Sequence, residues 1–284
     1  MKSYRIIPRI DIKGPNLVKG IHLEGLRVLG RPEDFASYYY NNGADELIYQ
    51  DVVASLYGRN SLSEMISNTA KEIFIPLTVG GGIRTIDDIK TVLRAGADKV
   101  CINSAAIENP TIIKQASRIF GSSTIIAGIE ATRQPDGTYM AYFNNGREVS
   151  GFEVKAWSIR LAELGAGEIL ITSIDREGTA EGFDIDLVKM VSTAVNIPVI
   201  AHGGAGNKND VEDVIKNGKC DAVSIAGMFH YAALREHINV AENANAEGNV
   251  EFIKSKMHVK AYKDAVTIIE LKNYLNEKGI MCRN

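Results

Sequence analysis

The sequence predicts an α/β protein, a closed (β/α)8 barrel (TIM barrel) that residues 1–284 form as one domain. Short β-branched runs alternate with helical patterns from one end of the chain to the other. Most of the strand-like runs are continuously apolar, which is typical of parallel strands that are buried on both faces. Eight strands and eight helices in 284 residues match a closed barrel better than an open doubly wound sheet.

The predicted elements follow from local signals. Each strand run ends at glycine or polar residues, and consecutive parallel strands require a crossover, which the helical stretches supply. The predicted strands cover residues 5–11, 46–52, 74–79, 99–103, 123–130, 168–173, 198–201 and 221–226. The predicted helices cover residues 33–42, 61–72, 86–95, 110–120, 153–164, 186–195, 208–217 and about 266–278.

An internal repeat divides the predicted barrel. Residues 43–48 recur as 165–170, residues 75–82 recur as 197–204, and residues 98–104 align with 221–227, in order and at nearly constant spacing. The repeat predicts two (β/α)4 half-barrels, at about 1–120 and 121–230.

Two segments interrupt the regular pattern. Residues 132–150 contain the turn signals Pro135-Asp-Gly and Asn144-Asn-Gly around a short strand-like run, and they predict a hairpin or a flexible active-site loop. Residues 234–261 are longer than an ordinary βα loop, which has ~2–6 residues. We expect an added helical or partly mobile excursion at the barrel mouth.

Composition excludes several classes of protein. The chain is 45% hydrophobic and its formal charge is −3, so it lacks the basic field expected of a binder of nucleic acid or anionic membranes. No apolar run approaches the ~18–20 residues that span a bilayer, and the first residues show no signal-peptide pattern. Three widely spaced cysteines without a CxxC motif fit a reducing compartment. We expect a soluble cytoplasmic protein, and the sequence indicates no metal and no cofactor.

Two carboxyl groups are the candidate catalytic residues. The carboxyl ends of the strands carry the active site of such a barrel, and Asp11 and Glu130 end the first and fifth predicted strands. The half-barrel repeat puts them on opposite sides of the mouth. Two facing carboxyls suit general acid and general base catalysis if their surroundings separate their pKa values. The alternative is that they only bind backbone amides or pair with basic side chains.

Two glycine-rich turns predict phosphate sites. Gly81 and Gly82 follow the third strand, and Gly203 and Gly204 follow the seventh. Exposed backbone amides at a helix start bind anions readily, although glycines also make tight βα turns. The neighbouring strand ends add four more candidate substrate-binding residues: Asn103, Ser104, Ala226 and Gly227. Two opposed sites predict an elongated substrate with a phosphate at each end.

Other strand-end residues are candidates for substrate contact. Asp51 and Thr172 end the second and sixth strands. Lys19 lies on a predicted glycine-containing loop, where it positions substrate, closes as a lid, or is simply solvated. His202 stands beside Gly203 as a phosphate donor, an acid or base, or a histidine of the rim. His230 is interpreted as a packing or capping residue.

Four charged residues begin predicted strands at the opposite end of the barrel. Their alternating signs predict a ring that closes the barrel axis, although ordinary strand-start salt bridges would give the same pattern. The four residues are Arg5, Glu46, Lys99 and Glu168.

The sequence resembles the family of cyclase subunits of imidazole glycerol phosphate synthase. The resemblance covers residues 4–231 and resumes at 270–280. The segments that carry it are Arg5-Ile-Ile-Pro, Asp11, Val18-Lys-Gly, Gly43-Ala-Asp-Glu-Leu, Phe74-Ile-Pro-Leu-Thr-Val-Gly-Gly-Gly-Ile-Arg, Ala95-Gly-Ala-Asp-Lys-Val, Ile102-Asn-Ser-Ala-Ala, Leu164-Gly-Ala-Gly-Glu-Ile-Leu and Phe229-His-Tyr.

The resemblance implies a barrel that works as a heterodimer with a glutaminase, a class I glutamine amidotransferase subunit. Ammonia from that partner would cross the barrel and react with a bis-phosphorylated phosphoribulosyl-formimino-aminoimidazole-carboxamide nucleotide, giving imidazole glycerol phosphate and aminoimidazole carboxamide ribotide. Asp11 and Glu130 match the family's catalytic positions. Glu177 and Gly178 join the substrate-binding residues, the four-residue ring matches an ammonia gate, and Asp98 matches a residue that docks the glutaminase.

The sequence departs from the family mainly at the mouth. Glu130 replaces an aspartate in a site where an ~1 Å misplacement can cost ~10²-fold in rate. The other replacements are Arg9 for cysteine, His202 for serine, Glu177 for aspartate and Gly227 for a phosphate-holding serine, and residues 234–261 are additional. One alternative is therefore a paralogue that conducts ammonia to, or partners, a sugar amidotransferase of surface-polysaccharide synthesis. Another alternative is the related two-phosphate sugar isomerase of histidine biosynthesis, the pathway of the resembled family, but it needs no ammonia gate, so Arg5, Glu46, Lys99 and Glu168 count against it.

Overall fold

Eight parallel strands close into a barrel in the computed structural model of the chain, which describes residues 2–54, 62–235 and 262–283. Each strand pairs in parallel with the next, and the last pairs with the first. The predicted (β/α)8 barrel is therefore confirmed. Two antiparallel hairpins extend the barrel, and their strands are included in the numbering along the chain. The barrel strands are β1 (Arg5–Lys13), β4 (Leu47–Asp51), β5 (Leu77–Gly80), β6 (Lys99–Ile102), β7 (Ile125–Arg133), β10 (Glu168–Ser173), β11 (Val199–His202) and β12 (Ala222–Ile225).

Helices connect the strands where the sequence predicts them, with ends that differ by a few residues. Three of them begin with a capping box formed by a Thr or Asn side chain and an acidic residue three positions later, at Thr85, Asn207 and Thr267. The described helices are α1 (Pro32–Asn41), α2 (Ser63–Glu72), α3 (Ile86–Arg94), α4 (Ser104–Glu108), α5 (Thr111–Phe120), α6 (Val154–Glu163), α7 (Ile185–Ala194), α8 (Lys208–Gly218), α9 (Gly227–Arg235) and α10 (Ile268–Glu277). Helices α4 and α9 were not predicted.

The segment after β1 forms a hairpin, and the prediction of a loop there is wrong. Strands β2 (Asn16–Ile21) and β3 (Glu24–Gly30) pair antiparallel, and His22 and Leu23 turn between them with positive φ. Contacts from a distant segment hold this turn, because the backbone N–H groups of both residues donate to Glu177, to its carbonyl at 2.9 Å and to its carboxylate at 3.1 Å. Such contacts leave no mark in the local sequence.

The hairpin predicted within residues 132–150 is confirmed. Strands β8 (Tyr139–Phe143) and β9 (Glu148–Glu153) continue antiparallel from β7, and Asn144, Asn145 and Gly146 form the turn with positive φ. From residue 236 on, the predicted excursion at 234–261 lies outside the described residues, whereas Leu234 and Arg235 end helix α9.

Side chains fill the barrel axis in layers, as is usual for this architecture. The middle layer is apolar and consists of Ile7, Ile48, Cys101, Ile126, Leu170, Ile200 and Ala222. Alternation along each strand therefore directs charged residues inward at both ends of the axis, Arg5 below this layer and Arg9 above it. Within the described parts of the chain, no helix is both long and apolar enough to cross a bilayer.

Candidate active site

Asp11 lies near the mouth end of β1, buried in an ion pair. Arg9, two residues earlier on the same face of the strand, donates from Nε to Asp11 Oδ1 over 2.8 Å. Both side chains are almost fully buried. Burial alone would raise the pKa of Asp11, but the positive charges of Arg9 and Lys19 hold this pKa below its ordinary value. Asp11 is thus an ionised carboxylate at neutral pH.

Glu130 lies on β7, across the mouth from β1, in a different electrostatic environment. Burial raises the pKa of Glu130 to about 7, although the charge of Arg9 and a hydrogen bond from Gly146 oppose the rise. The backbone N–H of Gly146, in the β8–β9 turn, donates to Glu130 Oε2 over 2.8 Å. One carboxyl is therefore ionised while the other holds a proton up to about neutral pH, the separation that acid–base catalysis needs.

A cavity of about 770 Å³, counting the space open to solvent, occupies the mouth beside Glu130. Seven of the predicted residues line it together: Asp51, Gly81, Gly82, Asn103, Ser104, Glu130 and Thr172. Arg9 and the hairpin residues Asn144 and Asn145 also reach it. The glycine turn at Gly81 and Gly82, which we call the first cradle, therefore faces the same cavity as Glu130. We call the corresponding turn at Gly203 and Gly204 the second cradle.

The first cradle has the backbone geometry that its glycines allow. Gly81 and Gly82 have φ of +94° and +69°, and a Cβ on Gly81 would lie 2.1 Å from the Asp51 carbonyl oxygen. Asp51 is turned toward its own loop, where Oδ1 accepts from the N–H groups of Val53 and Ala54. The hairpin meets the cradle from above, since Asn144 N donates to Ser104 Oγ over 3.1 Å and Asn103 Nδ2 donates to the Tyr142 carbonyl over 3.2 Å.

The second cradle repeats this geometry after β11. Gly203 and Gly204 have φ of +100° and +108°, and a Cβ on Gly204 would lie 2.0 Å from the Gly182 carbonyl oxygen. A second cavity, of about 790 Å³ counting the space open to solvent, lies near this side of the mouth. Lys19 and Gly178 are the predicted residues that line it. Ala226 is buried at the end of β12, directly before Gly227.

Lys19 does not lie on a solvated loop. It is a buried residue of β2, paired through Nζ with Glu177 Oε1 and donating to its neighbour's carbonyl, Gly20 O, over 2.9 Å. The other carboxylate oxygen of Glu177 accepts from Leu23 N over 3.1 Å. The pair therefore fastens the β2–β3 hairpin to the segment after β10, and Lys19 presents a positive charge to the second cavity.

His202 is a neutral acceptor in this structure, so two of its predicted roles do not fit. Burial and the charge of Arg9 lower the pKa of His202 to about 3. Its Nδ1 lies 2.8 Å from the Ser224 carbonyl, which can only accept, so Nδ1 carries the proton. Nε2 is a buried acceptor without a hydrogen-bond partner among the described residues. Because Nε2 carries no proton, it cannot donate a hydrogen bond to a phosphate. The pKa of about 3 also makes His202 unsuited to acid–base catalysis at neutral pH.

The predicted packing role of His230 agrees with its surroundings. His230 is fully buried in α9, where Nδ1 lies 2.6 Å from the Tyr39 hydroxyl, and its ring packs edge-on against Phe35 with centroids 5.6 Å apart.

The four strand-start charges meet in one ring at the opposite end of the axis. Arg5 bonds Glu46 over 2.8 Å and Glu168 over 2.5 Å, and Lys99 bonds the same two carboxylates over 3.0 Å and 2.6 Å. Burial opposes ionisation of Glu168, but the hydrogen bond and charge of Arg5 hold its pKa below the ordinary value. Each charge has two opposite neighbours, which makes the ring a closed network rather than separate pairs.

Asp98 has a structural contact at the same end. Its Oδ2 accepts from Leu77 N, the first residue of β5, over 2.8 Å. Asp221 holds Val199 N, the first residue of β11, in the same way over 2.9 Å, as the internal repeat suggests. Asp98 is nevertheless exposed, so its side chain remains accessible at this face.

Sequence reasoning missed three contributors to the site. The sequence marks Arg9 only as a departure from the family, yet it is the cation that lies against Asp11 and the mouth cavity. The sequence predicts Gly146 only as a turn residue, and its contact with Glu130 depends on how the hairpin folds back. Tyr262, which lines the second cavity beside Lys19, carries no signal in the local sequence, because tertiary packing alone brings it there.

Known proteins resemble this chain over most of its length. A family profile described as "Histidine biosynthesis protein" matches residues 5–235. A Legionella pneumophila protein named imidazole glycerol phosphate synthase subunit HisF is 58% identical over 206 residues, which cover 72% of this chain and 97% of the relative. Proteins of the same name from Alkaliphilus metalliredigens and Methanopyrus kandleri are 46% and 43% identical, covering 81% and 82% of this chain and 92% and 94% of the relatives.

Proposed function

The chain belongs to the HisF family of histidine biosynthesis proteins, and from this membership and the two unlike carboxyls of the mouth we propose that it is the cyclase subunit of an imidazole glycerol phosphate synthase. It takes ammonia from a glutaminase partner and converts the bis-phosphorylated phosphoribulosyl-formimino-aminoimidazole-carboxamide nucleotide. The products are imidazole glycerol phosphate, aminoimidazole carboxamide ribotide and one molecule of water, which carries away the oxygen that the ammonia nitrogen replaces.

The observation that carries this proposal is the difference between Asp11 and Glu130. Asp11 is the general base: ionised beside Arg9, it accepts a proton from the ammonia nitrogen as the new carbon–nitrogen bond forms. Glu130 is the general acid, because its pKa of about 7 keeps it protonated until it gives that proton to the leaving group. The two cradles bind the phosphates at the two ends of the substrate, with Lys19 at the second.

Ammonia delivery is supported by the polarity of the barrel axis. The ring of Arg5, Glu46, Lys99 and Glu168 lies at one end, and an apolar layer separates it from the mouth. Neutral ammonia crosses such a layer more easily than ammonium, whose charge would lose its hydration. We assign the ring as the gate that faces the glutaminase, and Asp98, exposed at the same end, as a contact of that partner.

One observation favours the second candidate, a paralogue that delivers ammonia to a different acceptor in surface-polysaccharide synthesis. Arg9 lines the mouth cavity where the family resemblance implies an uncharged cysteine. A fixed positive charge there suits an acceptor with an additional anionic group.

The two candidates are separated by one assay on the isolated subunit. The bis-phosphate nucleotide and an ammonium salt at high pH are supplied without a glutaminase, and product formation is followed. Turnover within roughly tenfold of ordinary enzyme rates (~1–10³ s⁻¹) supports the cyclase. Binding without turnover supports the altered acceptor. As a control, Asp11→Asn should abolish turnover but leave nucleotide binding largely intact, and near-normal turnover in that variant would contradict the assigned base.

A further inference from the structure

Helix α9 starts at Gly227, immediately after β12, at the mouth end of the barrel. The amides of its first turn have no carbonyl partner within the helix, and the helix dipole favours an anion at this end. Gly227 has no side chain, so the first residue of α9 offers a backbone amide but no hydroxyl donor.

Tyr262 occupies the space that a side chain at position 227 would take. A Cβ built on Gly227 would lie 2.3 Å from the Tyr262 hydroxyl oxygen and 2.5 Å from its Cζ. The polar end of this phenol thus lies against the first residue of α9. Gly227 and Tyr262 form a complementary pair, since any residue larger than glycine at 227 would displace the ring.

The same helix holds Tyr262 in this position. The Tyr231 ring, one turn into α9, stacks on Tyr262 with centroids 4.8 Å apart and an interplanar angle of 25°. Arg235, at the end of α9, donates to the carbonyl of Lys263 over 3.3 Å and to the carbonyl of Ala265. These contacts hold residues 262–265 against α9. Tyr262 therefore covers the first turn of this helix.

The Tyr262 hydroxyl makes no hydrogen bond to any residue within 2–54, 62–235 or 262–283, although the side chain is only 5% exposed. The fully buried polar atoms without a partner in the described chain do not include this hydroxyl, so its oxygen reaches the cavity surface, where a phenylalanine would offer no polar group. Tyr262 lines the second cavity with Lys19, Arg27 and Gly178. Burial and the nearby charge of Glu177 raise the pKa of Tyr262 well above its ordinary value, so the hydroxyl keeps its proton at neutral pH and can donate it.

We propose that Tyr262 is a substrate-binding residue whose hydroxyl donates a hydrogen bond to a phosphate monoester at the start of α9, in place of the side chain absent from position 227. The inference rests on the proposed function for the identity of the substrate. The contact supplies binding at a remote part of the substrate, so it affects KM more than kcat.

The first test compares Tyr262→Phe with the wild-type chain. Inorganic phosphate is titrated calorimetrically, and KM and kcat are measured with the bis-phosphate nucleotide and ammonium. We expect phosphate binding at one site to weaken about tenfold or more, KM to rise by a similar factor, and kcat to stay within about twofold. The matched control is Tyr274→Phe, which removes a hydroxyl that contacts Asn209 and Glu212, both on the outer helix α8. Unchanged phosphate binding and KM in Tyr262→Phe would overturn the assignment.

The second test exchanges the two residues. Gly227→Ser alone should weaken phosphate binding because its Cβ collides with Tyr262, and Tyr262→Ala alone should weaken it because the donor is lost. The double variant should bind more tightly than the sum of the single losses predicts, since the serine hydroxyl then enters the vacated space. If the double variant loses as much phosphate-binding free energy as the two single variants together, the idea that a serine at 227 can replace the Tyr262 hydroxyl is contradicted. If Tyr262→Phe weakens phosphate binding but no variant cyclises the nucleotide, the proposed function fails while the phosphate contact stands.

Discussion

Arg9 acts on the charge state of three titratable groups at the mouth. It bonds Asp11 directly, its charge favours the ionised forms of Asp11 and Glu130, and it helps to keep His202 neutral. A buried arginine is stable only when it is paired, because the desolvation of an isolated guanidinium is prohibitive. Arg9 is therefore a positioning residue that keeps the proposed base ionised, and its effect reaches the proposed acid as well.

Arg9→Met should move the acid limb of the pH–rate profile to higher pH. Without the arginine, burial raises the pKa of Asp11 and the charges of Lys19 and His202 alone oppose the rise, so the base is protonated over more of the acid range. The profile of kcat/KM is measured at constant free ammonia, and Arg9→Lys serves as the matched control because it retains a charge. An acid limb that stays in place in Arg9→Met would show that Asp11 is not the base.

Glu130→Gln should change how stability depends on pH. Burial raises the pKa of Glu130 to about 7 from an ordinary value of 4.5, so the folded state binds this proton more tightly than the unfolded state does. The resulting stability is fully present below about pH 4.5 and is lost as the pH rises to about 7. The wild type should therefore lose on the order of 1–3 kcal/mol relative to Glu130→Gln across this range. Urea unfolding at pH 4.5, 6 and 8 measures the difference, and parallel curves would refute it.

Two secondary-structure elements outside the barrel, the β2–β3 and β8–β9 hairpins, complete the candidate site. The β8–β9 turn donates to Glu130 and Ser104, and the β2–β3 turn is held by Glu177. The hairpins also meet each other over the mouth, since Asn145 Nδ2 donates to the Leu23 carbonyl over 3.1 Å. The barrel supplies the proposed catalytic side chains, Asp11 and Glu130, and the hairpins set their surroundings.

Gly146→Ala keeps the N–H that donates to Glu130, whereas Gly146→Pro removes it and also changes the turn, because the proline ring fixes φ at about −65°. Gly146 has a φ of +74°, and an added Cβ would lie 3.0 Å and 3.1 Å from the side chains of Leu23 and Ile174, so alanine should cost about 1 kcal/mol or more of stability and proline should cost more than alanine. Only proline removes the N–H that lowers the pKa of Glu130. The basic limb of the pH–rate profile should therefore move above about pH 7 in Gly146→Pro and stay in place in Gly146→Ala. Identical profiles would mean that this hydrogen bond does not tune the acid.

At the scale of the whole molecule, the barrel separates the candidate active site from the charged ring. The parallel strands bring all their carboxyl ends to the mouth, and the charged ring lies at the other end. Phe74, between α2 and β5 at the ring end, is 81% exposed, and its ring lies 6.1 Å from that of Tyr40. An exposed aromatic side chain beside a polar ring is typical of a residue that anchors a protein partner.

Phe74→Asp should weaken the proposed complex with a glutaminase by at least about tenfold, because the aromatic anchor is lost and a charge is buried in its place. Ammonium-dependent turnover of the isolated subunit should not change, since the mouth is remote. The matched control is Val149→Asp, in β9 on the mouth side, where the residue is 55% exposed. Analytical ultracentrifugation of the mixed subunits measures the affinity. Equal affinities for the two variants would argue against a partner at the ring end.

The barrel and most of the site's residues were predictable from sequence because their signals are local. Continuous apolar runs identify the buried parallel strands, and Gly81 and Gly203 report turns that only glycine tolerates. Strand ends then place Asp11 and Glu130 at the mouth and Arg5 and Lys99 at the opposite end. The division into half-barrels stays a prediction, although both glycine pairs adopt the same left-handed backbone.

The other features of the candidate site depend on contacts between residues that are distant in sequence. The β2–β3 turn depends on Glu177, the acidity of Glu130 depends on burial and on Gly146, and the neutrality of His202 depends on burial and on Arg9. The contact of Tyr262 with Gly227 exists only because α9 holds the later segment across its first turn. Sequence patterns report which face of an element is buried, whereas pKa values and hydrogen bonds between distant segments depend on distances that folding alone establishes.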